Sequence, residues 1–237
     1  MPSPMKRRQV LLFAAASGVA LATAAPADGE GSKEVQAVED LMREHGVLRR
    51  ALLVYAEAAT RLESGHGDVP LSALADTARL FRTFGEDYHE KAVEEAYVFP
   101  ALIKGEGPFR GLVATLKQQH ERGREITEYI STTASRGRGR LQPEILTAFV
   151  RMYAHHAAIE DTVLFPAWKR AVSDAQYREL SEKFEEIEQR QLGRDGFEHA
   201  VAQIHRIEEV LGLADLAQLT AAAPPAVATG SDIRPRT

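Results

Sequence analysis

The stretch from Met152 to Trp168, MYAHHAAIEDTVLFPAW, most tightly constrains the fold of this 237-residue chain. Apolar residues recur at helical spacing through Ile145, Phe149, Met152, Ile159 and Val163. His156 falls on that stripe, four residues after Met152, where a core helix would ordinarily carry Leu or Ile. Glu160 follows four residues later, so imidazole and carboxylate leave adjacent turns in the same direction. Burying both is costly unless a third group pairs with them. A metal ion is such a group; one satisfied core histidine and a surface Glu is the plainer alternative. The other helices decide between the two.

Three more segments carry helical periodicity. Residues 34–64 place Val38, Leu41, Leu48, Leu52, Tyr55, Ala59 and Leu62 at steps of three and four, with His45 filling the gap in the series. Residues 71–103 carry Leu74, Phe81, Tyr88, Ala92, Ala96 and Phe99, with His89 beside the stripe. Carboxylates crowd this second helix (Glu86, Asp87, Glu90, Glu94 and Glu95), and a solvated face is expected for most of them. Pro100 should end or kink it unless neighbouring structure absorbs the break. Residues 109–135 show Phe109, Leu112, Leu116, Thr127 and Ile130, and His120 sits in their seam. The fourth helix, residues 143–172, contains the opening stretch.

The connections at 65–70 and 105–108 are short, and 136–140 reads as a solvated basic connector. After Ser173-Asp174, which look like an N-cap, residues 177–191 and 197–211 read as two shorter amphipathic helices. No segment sustains a period of two. The chain therefore reads as all-α, an up-down-up-down four-helix bundle over 34–172 with two additional C-terminal helices within 173–214.

The chain contains no cysteine, which excludes thiolate-bound zinc, iron–sulfur clusters, disulfides and Cys nucleophiles. A net charge of −5 gives no reason to expect nucleic acid. Residues 1–27 read as an export signal: Lys6-Arg7-Arg8 precede an apolar, Ala-rich run from Val10 to Ala25 that ends in small residues. Adjacent arginines followed by Gln9-Val10-Leu11-Leu12 resemble a twin-arginine signal, so a periplasmic or other extracytoplasmic location is expected, with no membrane attachment after cleavage. Residues 221–237, rich in Ala, Pro, Gly and Ser, read as a disordered tail.

Each long helix thus contributes one histidine near its inward face: His45, His89, His120 and His156. Four core histidines would each need a separate polar partner. Imidazoles converging with carboxylates suit iron, manganese or zinc, and the absence of cysteine favours a non-haem iron pair. A ferritin-like site would need two ExxH motifs, and only Glu86 to His89 offers one.

The motifs EHGVLRR at His45, DYHEK at His89, EEAYVFPAL from Glu94, QQHERG at His120 and HHAAIEDTVLFPAW from His155 resemble the hemerythrin HHE cation-binding family. The resemblance spans residues 38–168 and includes two Phe-Pro landmarks, Phe99-Pro100 and Phe165-Pro166. It implies a four-helix bundle around a carboxylate-bridged non-haem di-iron centre, with His45, His89, Glu94, His120, His156 and Glu160 matching the family's ligands. Oxygen-carrying members have two histidines four residues apart on the third helix. Here the partner positions of His120 are Leu116 and Arg124, closer to relatives associated with iron sensing or with peroxide and nitric oxide chemistry.

A second departure lies on helix two, where Pro100 falls eleven residues after His89, against ten between His156 and Pro166. On a regular helix the five residues from His89 to Glu94 rotate about 500°, leaving the two side chains about 140° apart. Either a π-bulge absorbs the extra residue, the preferred reading, or Glu90 replaces Glu94 as ligand. His155 and Asp161 point about 100° from the ligands and are expected in supporting or surface roles. Tyr88 and Tyr153 are expected mainly as core packing, and His66, His199 and His205 as surface residues.

Two functional readings follow. One is an exported di-iron protein that binds or reacts with oxygen, peroxide or nitric oxide. The other is a non-enzymatic iron-binding or iron-sensing protein acting through a protein partner. The sequence leaves open whether the protein is an enzyme.

Overall fold

The computed structural model describes residues 35–65, 68–104, 107–136 and 141–225, and every regular element among them is helical. The expected export signal, most of the expected tail, the basic connector after Arg136 and His66 lie outside the described residues.

The elements are α1 (Ala37–Ser64), α2 (Leu71–Leu80), a π-helical segment (Phe81–Val98), α3 (Phe99–Ile103), α4 (Arg110–Arg136), α5 (Pro143–Ile159), a short second π segment (Glu160–Leu164), α6 (Phe165–Ala171), α7 (Asp174–Leu192) and α8 (Gly196–Leu211). α1 packs most extensively on α5 and α2 on α4, while α8 lies against α1 and α2, and α7 against the first π segment. At one level of the core, Tyr55, Phe81, Phe149 and Tyr153 interlock with centroids 4.9–6.5 Å apart. No helix among the described residues is long and apolar enough to cross a membrane.

Two expected stripes need correction. On α5 the buried line is Leu146, Phe149, Tyr153, His156 and Ala157, continuing through Glu160 and Leu164. Ile159 and Val163 are 39% and 40% exposed. Reading only apolar residues displaced the inward line by one position, about 100°, because its central members are polar. On the second rod, Ala92 and Ala96 give way to Val93, Glu94 and Val98 as inward residues. There the wide turns advance the buried face relative to an α-helix.

Both π segments end at a Phe-Pro pair. Phe99 N–H donates to the Glu94 carbonyl and Phe165 N–H to the Glu160 carbonyl, five residues back in each case. A proline inside an α-helix lacks a donor and clashes with the carbonyl four residues earlier. Each wide turn resets the ladder, so Pro100 and Pro166 fall in the first turn of a new α segment, where proline is tolerated. Pro100 therefore does not end the second rod, which runs on to Ile103.

α7 begins with a capping box: the Ser173 hydroxyl accepts from Gln176 N–H and the Gln176 side chain accepts from Ser173 N–H. Its next turns finish a different helix. α1 has no side-chain cap of its own at Gln36, and its first N–H groups would otherwise be orphaned. Ala37 N–H donates to Ser181 Oγ (3.1 Å) and Val38 N–H to Tyr177 Oη (2.9 Å). Trp168, fully buried, stacks on Phe184 with centroids 5.7 Å apart and fixes α7 against α6. Ser181→Ala and Tyr177→Phe should each lower stability by about 1 kcal/mol, as loss of a helix cap does. Urea denaturation followed by circular dichroism measures this, and an unchanged midpoint in both variants would show the α7 contacts to be incidental.

Candidate metal centre

The four seam histidines converge. His45 comes from α1, His89 from the first π segment, His120 from α4 and His156 from α5, and all four are buried. Between them lie Glu94 and Glu160, each 0% exposed. Glu94 Oε1 stands 3.3 Å from His89 Nε2, and Glu94 Oε2 stands 3.4 Å from His120 Nε2. Glu160 Oε2 lies 3.0 Å from His156 Nε2 and 3.5 Å from His45 Nε2. His120 Nε2 and His156 Nε2 are 3.0 Å apart. The expected solvated face on helix two is thus overturned: Glu86, Glu90 and Glu94 are buried, Glu95 is half-buried, and Asp87 alone of the five is exposed. The long π segment turns this acidic run toward the core.

Helix geometry explains how both His89 and Glu94 reach the centre. Five residues separate them, and a ladder that closes at five brings them onto one face. The regular-helix alternative, with Glu94 in solvent, does not describe this segment. Glu90 is also buried, but Tyr153 Oη donates to its Oε1 (2.6 Å) and Arg124 Nη2 lies 3.3 Å from its Oε2. Its closer approach to an imidazole is to His120 Nδ1, at 3.9 Å.

Each imidazole is oriented from behind through Nδ1. His45 faces Asp161 (2.7 Å), His89 faces Glu44 (2.5 Å), His120 faces Glu95 (2.9 Å) and His156 faces Gln119 (2.9 Å). An Nδ1–H donated to such an acceptor fixes the tautomer that presents a lone pair at Nε2. Asp161 is held in turn by Arg49, Glu95 by Arg124, and Glu44 by the Tyr88 hydroxyl (2.6 Å). Asp161 thus takes a supporting role, while His155, His199 and His205 are exposed. Leu116 is core, and Arg124 pairs with carboxylates. Sequence reasoning missed Glu44 and Gln119. The signal was adjacency, since each directly precedes a seam histidine but serves the histidine of another helix.

Charge balance follows the same geometry. Burial alone would raise the Glu160 carboxyl, but His156 and His45 outweigh it and hold that carboxyl well below the usual range. Burial works against a charged His89 ring, yet Glu94 and Glu44 pull its pKa well above the ordinary value.

The donor set fits a metal ion. His89 Nε2 and both oxygens of Glu94 and of Glu160 are buried with no hydrogen-bond partner. Five orphaned polar atoms in one place are difficult to sustain without a cation. Ligands bonded at about 2.1 Å to one ion stand about 3.0–3.4 Å apart, tetrahedral or octahedral. The separations here run from 3.0 to 3.5 Å. Two groups of candidate ligand atoms share Glu94, each with its atoms within 4.8 Å: His45, His89 and Glu94, and Glu94, His120, His156 and Glu160. Imidazole and carboxylate together suit a first-row transition metal.

A family model described as the hemerythrin HHE cation binding domain matches residues 36–168. The chain belongs to that family. The hemerythrin match covers every residue of the centre, from Glu44 to Asp161. Uncharacterized proteins of Mycobacterium bovis and of two strains of Mycobacterium tuberculosis are 37% identical over 238 residues, covering 92% of this chain and 92% of each relative. No solved structure matches the chain significantly. Membership in a cation-binding family agrees with the orphaned atoms at the core of this hemerythrin domain.

Glu44→Gln removes the charge behind His89 while keeping the shape of the side chain. Metal affinity should fall about tenfold or more, the usual effect of losing a partner behind a ligand. Competition with a chromophoric chelator measures this, and an affinity equal to wild type would show that Glu44 merely packs.

Proposed function

We propose that this is an exported hemerythrin-like protein whose up-down-up-down bundle holds a non-haem di-iron centre that binds or reacts with oxygen, peroxide or nitric oxide. The observation that carries the reading is the convergence of four Nε2 atoms on two buried carboxylates whose oxygens have no other partner. In this reading His45 and His89 would hold one iron and His120 and His156 the other, with Glu94 and Glu160 as their carboxylate ligands. Two irons held there would supply redox equivalents and open coordination positions for a small ligand.

The chain's own residues limit what reaches that centre. A cavity borders it, lined by His45, Leu48, Arg49, Leu52, Ala157 and the inner carboxylates, with about 10 Å³ open to a water-sized molecule. That is room for about one such molecule, which supports a diatomic or peroxide ligand over a larger substrate. Leu48, Leu52 and Ala157 keep bulk water away, and Arg49 places a cation on the wall. Neither partner position of His120 on its helix carries a fifth histidine: Leu116 belongs to the core, and Arg124 binds Glu90 and Glu95. This supports reactive chemistry with peroxide or nitric oxide over plain oxygen carriage.

Elemental analysis and an ultraviolet–visible spectrum of aerobically purified protein test the centre. Two irons per chain are expected, with Glu94→Ala losing much of the iron and Glu90→Ala retaining it. Zinc alone, or no metal, would overturn the reading. Export is tested separately: replacing Arg7 and Arg8 by lysine should retain the precursor in the cytoplasm if the signal is of the twin-arginine type. Unchanged export of that variant would assign the general secretory route.

A further inference from the structure

Glu90 lies outside the two ligand groups that share Glu94, although with Glu95 and His120 it forms a third cluster of candidate ligand atoms, and it is buried and lines the same cavity as His89, Glu94, His156 and Glu160. We propose that Glu90 is a conditional third metal carboxylate, kept off the centre by Tyr153 and Arg124 so that a position stays open for the small ligand. The inference rests on the di-iron reading.

A carboxylate beside a cation in a low-dielectric cavity is strongly drawn onto it, because little water competes. Glu90 follows His89 directly on the π segment and has no solvent to turn toward. Both of its oxygens are nevertheless taken: Oε1 accepts from Tyr153 Oη at 2.6 Å, and Oε2 faces Arg124 Nη2 at 3.3 Å. Two donors from two different helices therefore hold the group in place.

The phenol is fixed by its surroundings. Its ring packs against Phe149 and Phe81, with centroids 4.9 and 5.0 Å away, and lies 5.3 Å from the His156 ring. On the facing helix stands Gly123, where any Cβ would overlap the Tyr153 hydroxyl. A glycine inside a helix is disfavoured relative to alanine. Here it leaves the space that lets the hydroxyl reach Glu90. Arg124, the next residue, supplies the second restraint and is itself steadied by Glu95 at 2.5 Å. Tyr153 and Arg124 are positioning residues that act through Glu90.

The test compares iron-loaded wild type with Tyr153→Phe, Glu90→Gln and the double variant, titrating the ferric proteins with azide and recording visible spectra. Releasing Glu90 should let it occupy the open position. If nine molecules in ten are captured, azide affinity falls about tenfold, since only the open fraction binds. The azide-free spectrum of Tyr153→Phe should shift as well. The double variant, lacking a charged carboxylate to swing, should regain wild-type azide affinity and spectrum. Arg124→Gln, which frees the other oxygen, should move both readouts in the same direction and serves if Tyr153→Phe does not fold. Wild-type affinity and spectrum in the single variant would overturn the proposal. So would a double variant as impaired as Tyr153→Phe, because the phenol would then matter for packing alone. A wild-type protein that takes up no iron overturns the di-iron reading itself, and this inference with it.

Discussion

Glu94 and Glu160 are fully enclosed, and their four carboxylate oxygens receive no hydrogen bond from the protein. Leaving even one such charge unpaired inside a bundle costs several kcal/mol. The surrounding imidazole Nε2 atoms face them at 3.0–3.5 Å, distances suited to a shared cation. Much of the architecture follows from that arrangement. The inward face of the second rod is acidic, wide turns are needed to aim it, and the layer behind the histidines consists of acceptors rather than leucines.

The wide turns join site chemistry to chain geometry. Glu94 and Glu160 each stand five residues before a phenylalanine whose N–H returns to their own backbone carbonyl, and a proline follows at once. One feature thus aims the carboxylate and makes the proline tolerable. Phe99 and Phe165 complete the arrangement by stacking on His120 and His45, with centroids 5.5 and 5.4 Å away. Each rod therefore supplies a ligand and the ring that covers a ligand of another helix.

The seam histidines were legible because a polar residue on an apolar period is conspicuous. The extra residue between His89 and Glu94 was legible as a spacing anomaly against the Pro landmarks. The second π segment left no such trace, since four residues from His156 to Glu160 look regular in either geometry. Burial of Glu86 and Glu90 was hidden because an acidic run resembles a solvated face until its partners are known. Of those partners, Arg124 and Tyr153 stand on other helices, and Arg82, one turn before Glu86, reads in sequence as another solvated charge. The α7 residues that finish the start of α1 were equally invisible, since Ser181 and Tyr177 lie some 140 positions away.

The supports behind the four imidazoles form a closed circuit. Glu44 of α1 orients His89, Glu95 beside Glu94 orients His120, Gln119 of α4 orients His156, and Asp161 beside Glu160 orients His45 on α1. Every rod both gives an orienting acceptor and receives one. Grafting a single helix from a relative therefore replaces a ligand together with the acceptor steering a ligand elsewhere. Recombination that respects this circuit must carry neighbouring rods as matched pairs, so the unit of inheritance for the site is the seam between two helices.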